Sequence, residues 1–398
     1  MKLLYISCFM FEKRQEEIYG LPSCADSFFE KYLDIFDSIQ VLGESIKFFL
    51  DKSRLVKLNN ERIKVDILPR NTAPKDFIND RKIKRILIKE IQKADAIIIK
   101  PSSRKGMMAI KIAKKLKKPY MIEMTGDIHN ALMQNPSKLK RLYAPILYRQ
   151  IKKAIKNCEY GLYVSQEYLQ SKYPIKGKMI GCADVVISDF DSTIIENRLK
   201  KIENITEKSR VDLGLIGFYQ GNGKGVDTAI RALSHLPNNF HFSILGNGTE
   251  ESRNFWYEYA NRYGVKDRLR FCDALPSVEE VLLWLDKIDV FVFPTRSEGF
   301  GRCVVEAMSR GCPCFATNIC TMPELLLNEC LHELDDDVTL ANQISKCIED
   351  KNWMRAIALR NFEKAKEYRF DVLKKRRNVF LQEFKSYCEK MKAGEIQD

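Results

Sequence analysis

The chain has 398 residues, which is long for one ordinary core and suits two domains. With 45% hydrophobic and 10% aromatic residues it has the composition of a soluble globular protein, and no apolar run approaches the ~18 residues that span a membrane. The net charge of +13 is uneven: residues 1–200 carry 38 basic against 23 acidic side chains, a net of +15, while residues 201–398 carry 28 against 30, a net of −2. One domain is therefore expected to meet something anionic. The twelve cysteines are scattered and contain no C-x-x-C pair. That pattern argues for reduced thiols in the cytoplasm, against a disulfide frame or a zinc site.

Taken in order, Lys2 to Ser7 predicts a first strand. MKLLYISCFMFEK has no small-residue cleavage site and does not read as a signal peptide. A loop through Gly20 and Pro22 is expected next. Ser23 can cap a helix over Cys24 to Phe36 with Phe28, Phe29, Tyr32, Leu33 and Phe36 as its apolar stripe. Strands are predicted at Ile39–Leu42, Ile63–Leu68, Ala94–Ile99 and Tyr120–Met124, with helices at Glu44–Asn59, Arg81–Lys93 and Met107–Leu116. This alternation predicts a parallel, doubly wound sheet. Ligands of such sheets lie beyond the C-terminal strand ends. The candidate loops are Ser7–Pro22, Pro101–Lys105 and Thr125–Asn130, the last holding Gly126, Asp127 and His129.

Two stretches are purely basic, Arg104–Lys118 and Lys138–Lys156, each with seven Lys or Arg and no acid. In the second, Leu139, Leu142, Tyr143, Ile146, Leu147, Ile151, Ala154 and Ile155 fall near helical spacing, and Pro145 should kink or restart the helix. Such a helix can lie on an anionic membrane surface, or it can be a core helix with a solvated basic face.

Strands follow at Gly161–Ser165 and Met179–Cys182. The polar stretch 191–209 reads as a linker between a first domain, 1–190, and a second, 210–375; residues 376–398 form a terminal helix and tail. Asp212–Phe218 opens the second sheet. The loop Gly221-Asn222-Gly223-Lys224-Gly225 then leads into a helix, Val226–Leu236. Glycines let backbone approach a phosphate and Lys224 adds a charge, although the P-loop spacing is absent. Strands are predicted at Phe240–Leu245 and Leu269–Cys272. Ser277 and Glu280 read as a capping box for a helix over Val278–Leu285.

The most informative stretch is Val290–Thr317, VFVFPTRSEGFGRCVVEAMSRGCPCFAT. A buried strand ends at Pro294, a polar loop carries Glu298, Gly299 and Gly301, and a short helix is stopped by Gly311 and Pro313. A helix N-terminus behind glycines is an anion site, worth up to about 2 kcal/mol where partly buried. Glu298 and Glu306 frame the turn. Neither has a second acid or His close by in sequence, and carboxylates suit the paired hydroxyls of a sugar or ribose.

The segment SEGFGRCVVEAMSRGCP resembles the E-x7-E signature of the retaining GT-B-fold glycosyltransferases of family 4. The resemblance is specific over about 210–330 and only architectural over 1–200. It implies two Rossmann-like domains facing a cleft, with a C-terminal helix crossing back to the first domain. The stripe Val379, Phe380, Phe384 and Tyr387 is the part of that helix that needs a partner surface, there or on its own domain. It implies a nucleotide-diphosphate sugar donor of UDP or GDP type, no metal or other cofactor, and a glycan or lipid-linked glycan acceptor. Carried over by position, Glu298 contacts the donor sugar and Glu306 the ribose. The backbone of Gly299-Phe300-Gly301 lies against sugar and diphosphate, and Gly223 and Lys224 lie at the diphosphate.

The family often has an Arg just after the strand that precedes the Lys loop. Here Phe218 and Tyr219 stand there, so either Arg302 or Arg296 supplies the second cation or diphosphate stabilisation is weaker. The loop with Asp127 and His129 resembles the one facing the donor sugar. Either residue can orient the acceptor hydroxyl or contact the sugar, or be an ordinary loop residue satisfied by backbone groups. Asp189-Phe190-Asp191 is a D-x-D, which holds a metal in another glycosyltransferase fold; in a linker it reads as local structure. The implied setting is surface-polysaccharide or glycoconjugate synthesis, in the cytoplasm or peripherally on the inner face of the membrane. The rivals are a sugar epimerase or phosphorylase of the same fold, a non-catalytic scaffold of a glycan assembly complex, and a nucleic-acid binder that uses the basic half. The last lacks an aromatic-basic platform or a groove-reading motif.

Overall fold

The computed structural model describes residues 1–46, 55–71 and 74–395. They fall into two compact units. The first comprises 1–128, 143–182 and the chain from Lys374 on; the second comprises 129–142 and 183–373.

The described strands of the first unit are β1 (Lys2–Arg14), β2 (Glu17–Gly20), β3 (Ser38–Ser45), β4 (Val56–Lys57), β5 (Ile63–Leu68), β6 (Ala96–Ile99), β7 (Tyr120–Met124), β8 (Tyr160–Tyr163) and β9 (Lys178–Gly181). Seven run parallel in the order β5-β3-β1-β6-β7-β8-β9. Leu3–Ile6 and Ala96–Ile99 are buried throughout, which is why they read as unbroken apolar runs. The expected loop after Ser7 is instead a continuation of β1. The chain bulges between Ile6 and Met10, then pairs antiparallel with β2, Phe11 opposite Gly20. Phe11 is buried against Gly43, where a Cβ would lie 2.4 Å from its ring.

The first helix is shorter than expected, Asp26–Leu33. Pro22–Cys24 forms a 3-10 turn and Ala25, not Ser23, precedes the helix. Of the helix expected over Glu44–Asn59, Glu44 and Ser45 lie in β3, Val56 and Lys57 form β4, and 47–54 are outside the described residues. The helix Lys138–Ile155 runs through Pro145 without a break. Pro145 and Arg141 are both exposed, so the carbonyl that loses its donor is near water. The last helix is Phe370–Ala393. Its Phe380, Phe384 and Tyr387 surround Tyr160 of β8 at ring-centroid distances of 5.3–5.6 Å, so these three have their partner surface in the first unit, while Val379 stays 56% exposed. No described helix is long and apolar enough to cross a membrane.

The described strands of the second unit are β10 (Val211–Ile216), β11 (Phe240–Gly246), β12 (Leu269–Asp273), β13 (Val290–Phe293), β14 (Cys314–Thr317) and β15 (Leu331–His332). All are parallel, in the order β12-β11-β10-β13-β14-β15. The order reverses between β10 and β13, the place where open parallel sheets bind ligands.

The stretch read as a linker holds a packed helix, Ser192–Glu203, with Ile194, Arg198 and Ile202 buried. Arg198 donates from Nε, Nη1 and Nη2 to the carbonyls of Arg310 (3.0 Å), Ile288 (2.5 Å) and Leu285 (2.9 Å). The buried guanidinium satisfies carbonyls at the ends of two helices of the second unit, Val278–Lys287 and Arg302–Ser309. The D-x-D is local structure: Asp191 caps this helix by accepting from the Thr193 N–H at 2.8 Å, Asp189 accepts from the Asp191 N–H at 3.1 Å, and Phe190 packs on Phe362.

Candidate active site

At the reversal point of the second sheet, the loop after β10 meets the loop after β13. Backbone stitches them: the Arg296 N–H and the Thr295 hydroxyl donate to the Gly223 carbonyl at 3.0 and 3.1 Å. Gly225 is left-handed, φ 70° and ψ 34°, and a Cβ there would lie 1.8 Å from the Pro294 carbonyl oxygen. Only glycine lets the loops approach this closely while starting the helix Val226–Ser234.

This approach brings Lys224 onto the Glu298 loop. Its stem lies along Gly217, its ammonium sits 5.0 Å from the Phe293 ring centroid, and Nζ donates to Glu298 Oε2 at 2.5 Å. Glu298 Oε1 accepts from the Gly299 N–H at 2.9 Å. Both side chains are largely but not fully buried. Gly301, φ 88°, is the left-handed residue that opens the helix Arg302–Ser309. Phe300 is buried against Tyr368, and its carbonyl accepts from the Thr321 hydroxyl at 2.6 Å. Its side chain therefore holds the turn in place.

Glu306 lies one turn into the helix. Burial pushes its carboxyl above the usual range, with Arg302 opposing. No hydrogen bond to that carboxyl is found among the described residues, so its acceptor capacity is open. Arg302 is exposed at the start of the helix.

Arg296 is committed elsewhere. It forms a fork on Asp227, with two contacts of 2.9 Å, it meets Asp335, and it donates to the Asn222 carbonyl at 3.0 Å. Burial tends to raise the Asp227 pKa, but hydrogen bonds from Arg296 and Asn222 outweigh it and hold the carboxyl below its usual range. Of the two arginines singled out in the sequence, Arg302 is thus the open cation, while Arg296 braces the loop. At the two positions after β10 where an Arg was expected, Phe218 is 52% exposed and Tyr219 is buried against Phe271.

Asp127 belongs to the first unit and is fully engaged. Tyr168 and Lys172 donate to Oδ2 at 2.5 Å each, and Tyr173 donates to Oδ1 at 2.7 Å. These hydrogen bonds outweigh burial and hold its pKa low. Its geometry is that of an anchor between loop and helix. His129 is half-buried in the first turn of the helix Ile128–Met133 and counts with the second unit. Its neighbour Asn130 donates to the Arg296 carbonyl at 3.4 Å and contacts Cys320 Sγ at 3.1 Å. Asn130, Asp227 and Asp335 were not singled out in the sequence. Their shared partner Arg296 lies 166 positions from Asn130, 69 from Asp227 and 39 from Asp335, so no local spacing signals this contact.

Residues 210–350 match the family model of glycosyl transferases group 1. Over 390 residues the chain is 28% identical to protein CapJ of Staphylococcus aureus, covering 97% of this chain and 96% of that protein. A shorter match, 32% over 108 residues, is to the O-antigen biosynthesis glycosyltransferase WclY of Escherichia coli, covering 27% of this chain and 29% of that protein. Among solved structures, sucrose-phosphate synthase from Thermosynechococcus elongatus superposes with a TM-score of 0.65 at 13% identity, covering 97% and 99% of the two chains. Anabaena HepE, solved with UDP and glucose, gives 0.63 at 16% identity, covering 98% and 99%. The family model thus covers the second sheet with its paired loops, and the likeness to these solved structures along nearly the whole length shows the fold, GT-B.

Proposed function

We propose that the protein moves a sugar from a nucleoside-diphosphate sugar to a glycan or lipid-linked glycan acceptor, with retention at the anomeric carbon and without a metal ion. The observation that carries this reading is the Lys224–Glu298 pair at 2.5 Å, beside the helix that opens at left-handed Gly301. The diphosphate would take Lys224 from its carboxylate partner and lie against the helix N-terminus, with Arg302 nearby. Glu298 would then be released to accept from hydroxyls of the donor sugar. Glu306 would accept from the ribose hydroxyls. In the transfer the anomeric carbon–oxygen bond breaks and the diphosphate oxygen keeps the electron pair. The acceptor oxygen bonds the same face of that carbon, and its proton passes to the departing phosphate. Asp127, with both oxygens engaged, is a positioning residue in this scheme.

The UDP and UDP-glucose complexes of HepE favour a UDP-sugar. The O-antigen biosynthesis role of WclY favours a cell-surface glycan as product. Twelve free cysteines suit the reducing cytoplasm. The test is a thermal-shift screen against UDP-, GDP-, ADP- and CMP-sugars with EDTA present. A ligand at about 100 times its Kd stabilises by about 2.7 kcal/mol. A shift with one base that survives EDTA supports the reading. No shift with any nucleotide removes it.

A further inference from the structure

The terminal helix Phe370–Ala393 packs on the edge of the first sheet where β8 and β9 begin, with Tyr160 and Lys178 as their first residues. A groove of about 680 Å³ lies there between helix and strands. Every residue that lines it belongs to the first unit. Ligands of parallel sheets lie at the opposite edge, beyond the strand ends, so this groove is no part of such a site.

One wall of the groove is a single ridge of the helix. Asn378, Gln382, Ser386 and Lys390 line it at i, i+4 spacing, about 6 Å per step and about 18 Å in all. None of the four makes a side-chain hydrogen bond or ion pair among the described residues. The amide oxygen of Asn378 is even buried without a partner, which native structures seldom leave unexplained. The rings of Tyr160 and Tyr387, 5.3 Å apart between centroids, also line the groove, as does Lys178, which pairs with Glu383 at 2.7 Å. Of the lining residues only Val379 is an exposed large apolar side chain.

We infer that this groove holds a neutral, linear oligosaccharide, its hydroxyls meeting the polar ridge and its ring faces the tyrosines. The lining decides the class. Amides and hydroxyls both donate and accept, as a row of sugar hydroxyls does, and tyrosine offers an apolar body with a polar tip. A protein partner would need an apolar centre, which Val379 alone does not make. An anion would need several open cations, and Lys178 is held by Glu383. The volume falls within the about 300–1,000 Å³ of ligand clefts and suits two or three sugar rings. The inference does not depend on the donor chemistry proposed above.

The test is saturation-transfer NMR and calorimetric titration of the full chain with maltotriose, cellotriose and chitotriose. Wild type should transfer saturation to at least one of the three. Asn378→Ala with Gln382→Ala removes two polar contacts and should weaken binding about 5- to 150-fold, at about 2- to 12-fold each. Ser386→Leu, a second and independent variant, should weaken it about 2- to 12-fold. Unchanged melting establishes that the variants are folded. The inference is overturned if none of the trisaccharides receives saturation, or if the folded variants bind like wild type, which would place the sugar elsewhere on the chain. Light scattering that shows a dimer broken by Val379→Glu would also overturn it, in favour of a second copy. A donor-induced thermal shift without trisaccharide binding would leave the proposed transfer standing and sink this inference; the converse result would do the reverse.

Discussion

Replacing Gly225 by alanine should damage the second unit from within its ligand site. The new Cβ costs first through the backbone: φ 70° and ψ 34° are left-handed, unfavourable for an L-residue by about 1–2 kcal/mol. It then meets the Pro294 carbonyl oxygen at 1.8 Å, where ordinary contact begins at 3.4 Å, so about 1.6 Å must open by difference. Both sides are backbone, one starting a helix and the other ending β13, and overpacking of this kind costs about 1–3 kcal/mol. The sum is about 2–5 kcal/mol, or a fall of about 4–20 °C in the midpoint of a unit of this size. Gly223→Ala is the internal control. It lies two residues away in the same loop, and nothing is within 4 Å of a Cβ placed there. It should change stability by no more than about 0.5 kcal/mol. Calorimetric melting of both variants, with and without donor, measures the difference. If Gly225→Ala melts like Gly223→Ala, the claim that this glycine sets the approach of the two loops is wrong.

Lys224→Met should weaken donor binding by about 1.5–3 kcal/mol, the size of a hydrogen bond to a charged group, which is about 10- to 150-fold in Kd by titration; an unchanged Kd would place the diphosphate elsewhere. Glu306 gives a pH test. Burial raises its folded pKa above the unfolded value, so its protonated form favours the fold, and that contribution fades as pH rises from the ordinary carboxylate range through the raised value. Glu306→Gln should therefore melt above wild type at pH 8, with the gap closing in acid, while binding donor less tightly. A variant that melts lower at pH 8 would contradict the account. Asp127→Asn should lower the melting temperature, because Lys172 and two tyrosines lose a carboxylate partner, yet leave the donor-induced shift intact. Loss of that shift would show that Asp127 acts on the donor.

Much of this was legible in the chain because it is written in local pattern. Val290–Phe293 announces a doubly buried strand, and the glycines at 299 and 301 announce a backbone that must come close to something. What stayed hidden depends on distant partners. Residues 9–14 carry no turn signal that distinguishes a loop from a strand extension; pairing with β2, and of Met10 and Phe11 with β3, makes them a strand. Ser192–Glu203 looks like a linker because an Arg at its centre reads as exposed; the carbonyls that bury Arg198 lie 87 to 112 positions away. Arg296 and Arg302 look equivalent in sequence. Asp227 and Asp335 separate them, and no spacing links either aspartate to the loop.

The packed Ser192–Glu203 helix also governs where the chain can be cut. The stretch that matches the family model begins at residue 210, so it invites an isolated fragment starting there. Such a fragment would discard Arg198, taking the charged donor from the carbonyls of Leu285, Ile288 and Arg310, and would uncover the apolar surface on which Ile194 and Ile202 are buried. It would also discard Lys201, which meets Asp289 at 2.9 Å. Each hydrogen bond lost to the charged donor costs about 1.5–3 kcal/mol, a large share of what any domain has in hand. A self-standing second half should begin ahead of Asp191, with the cap of this helix included.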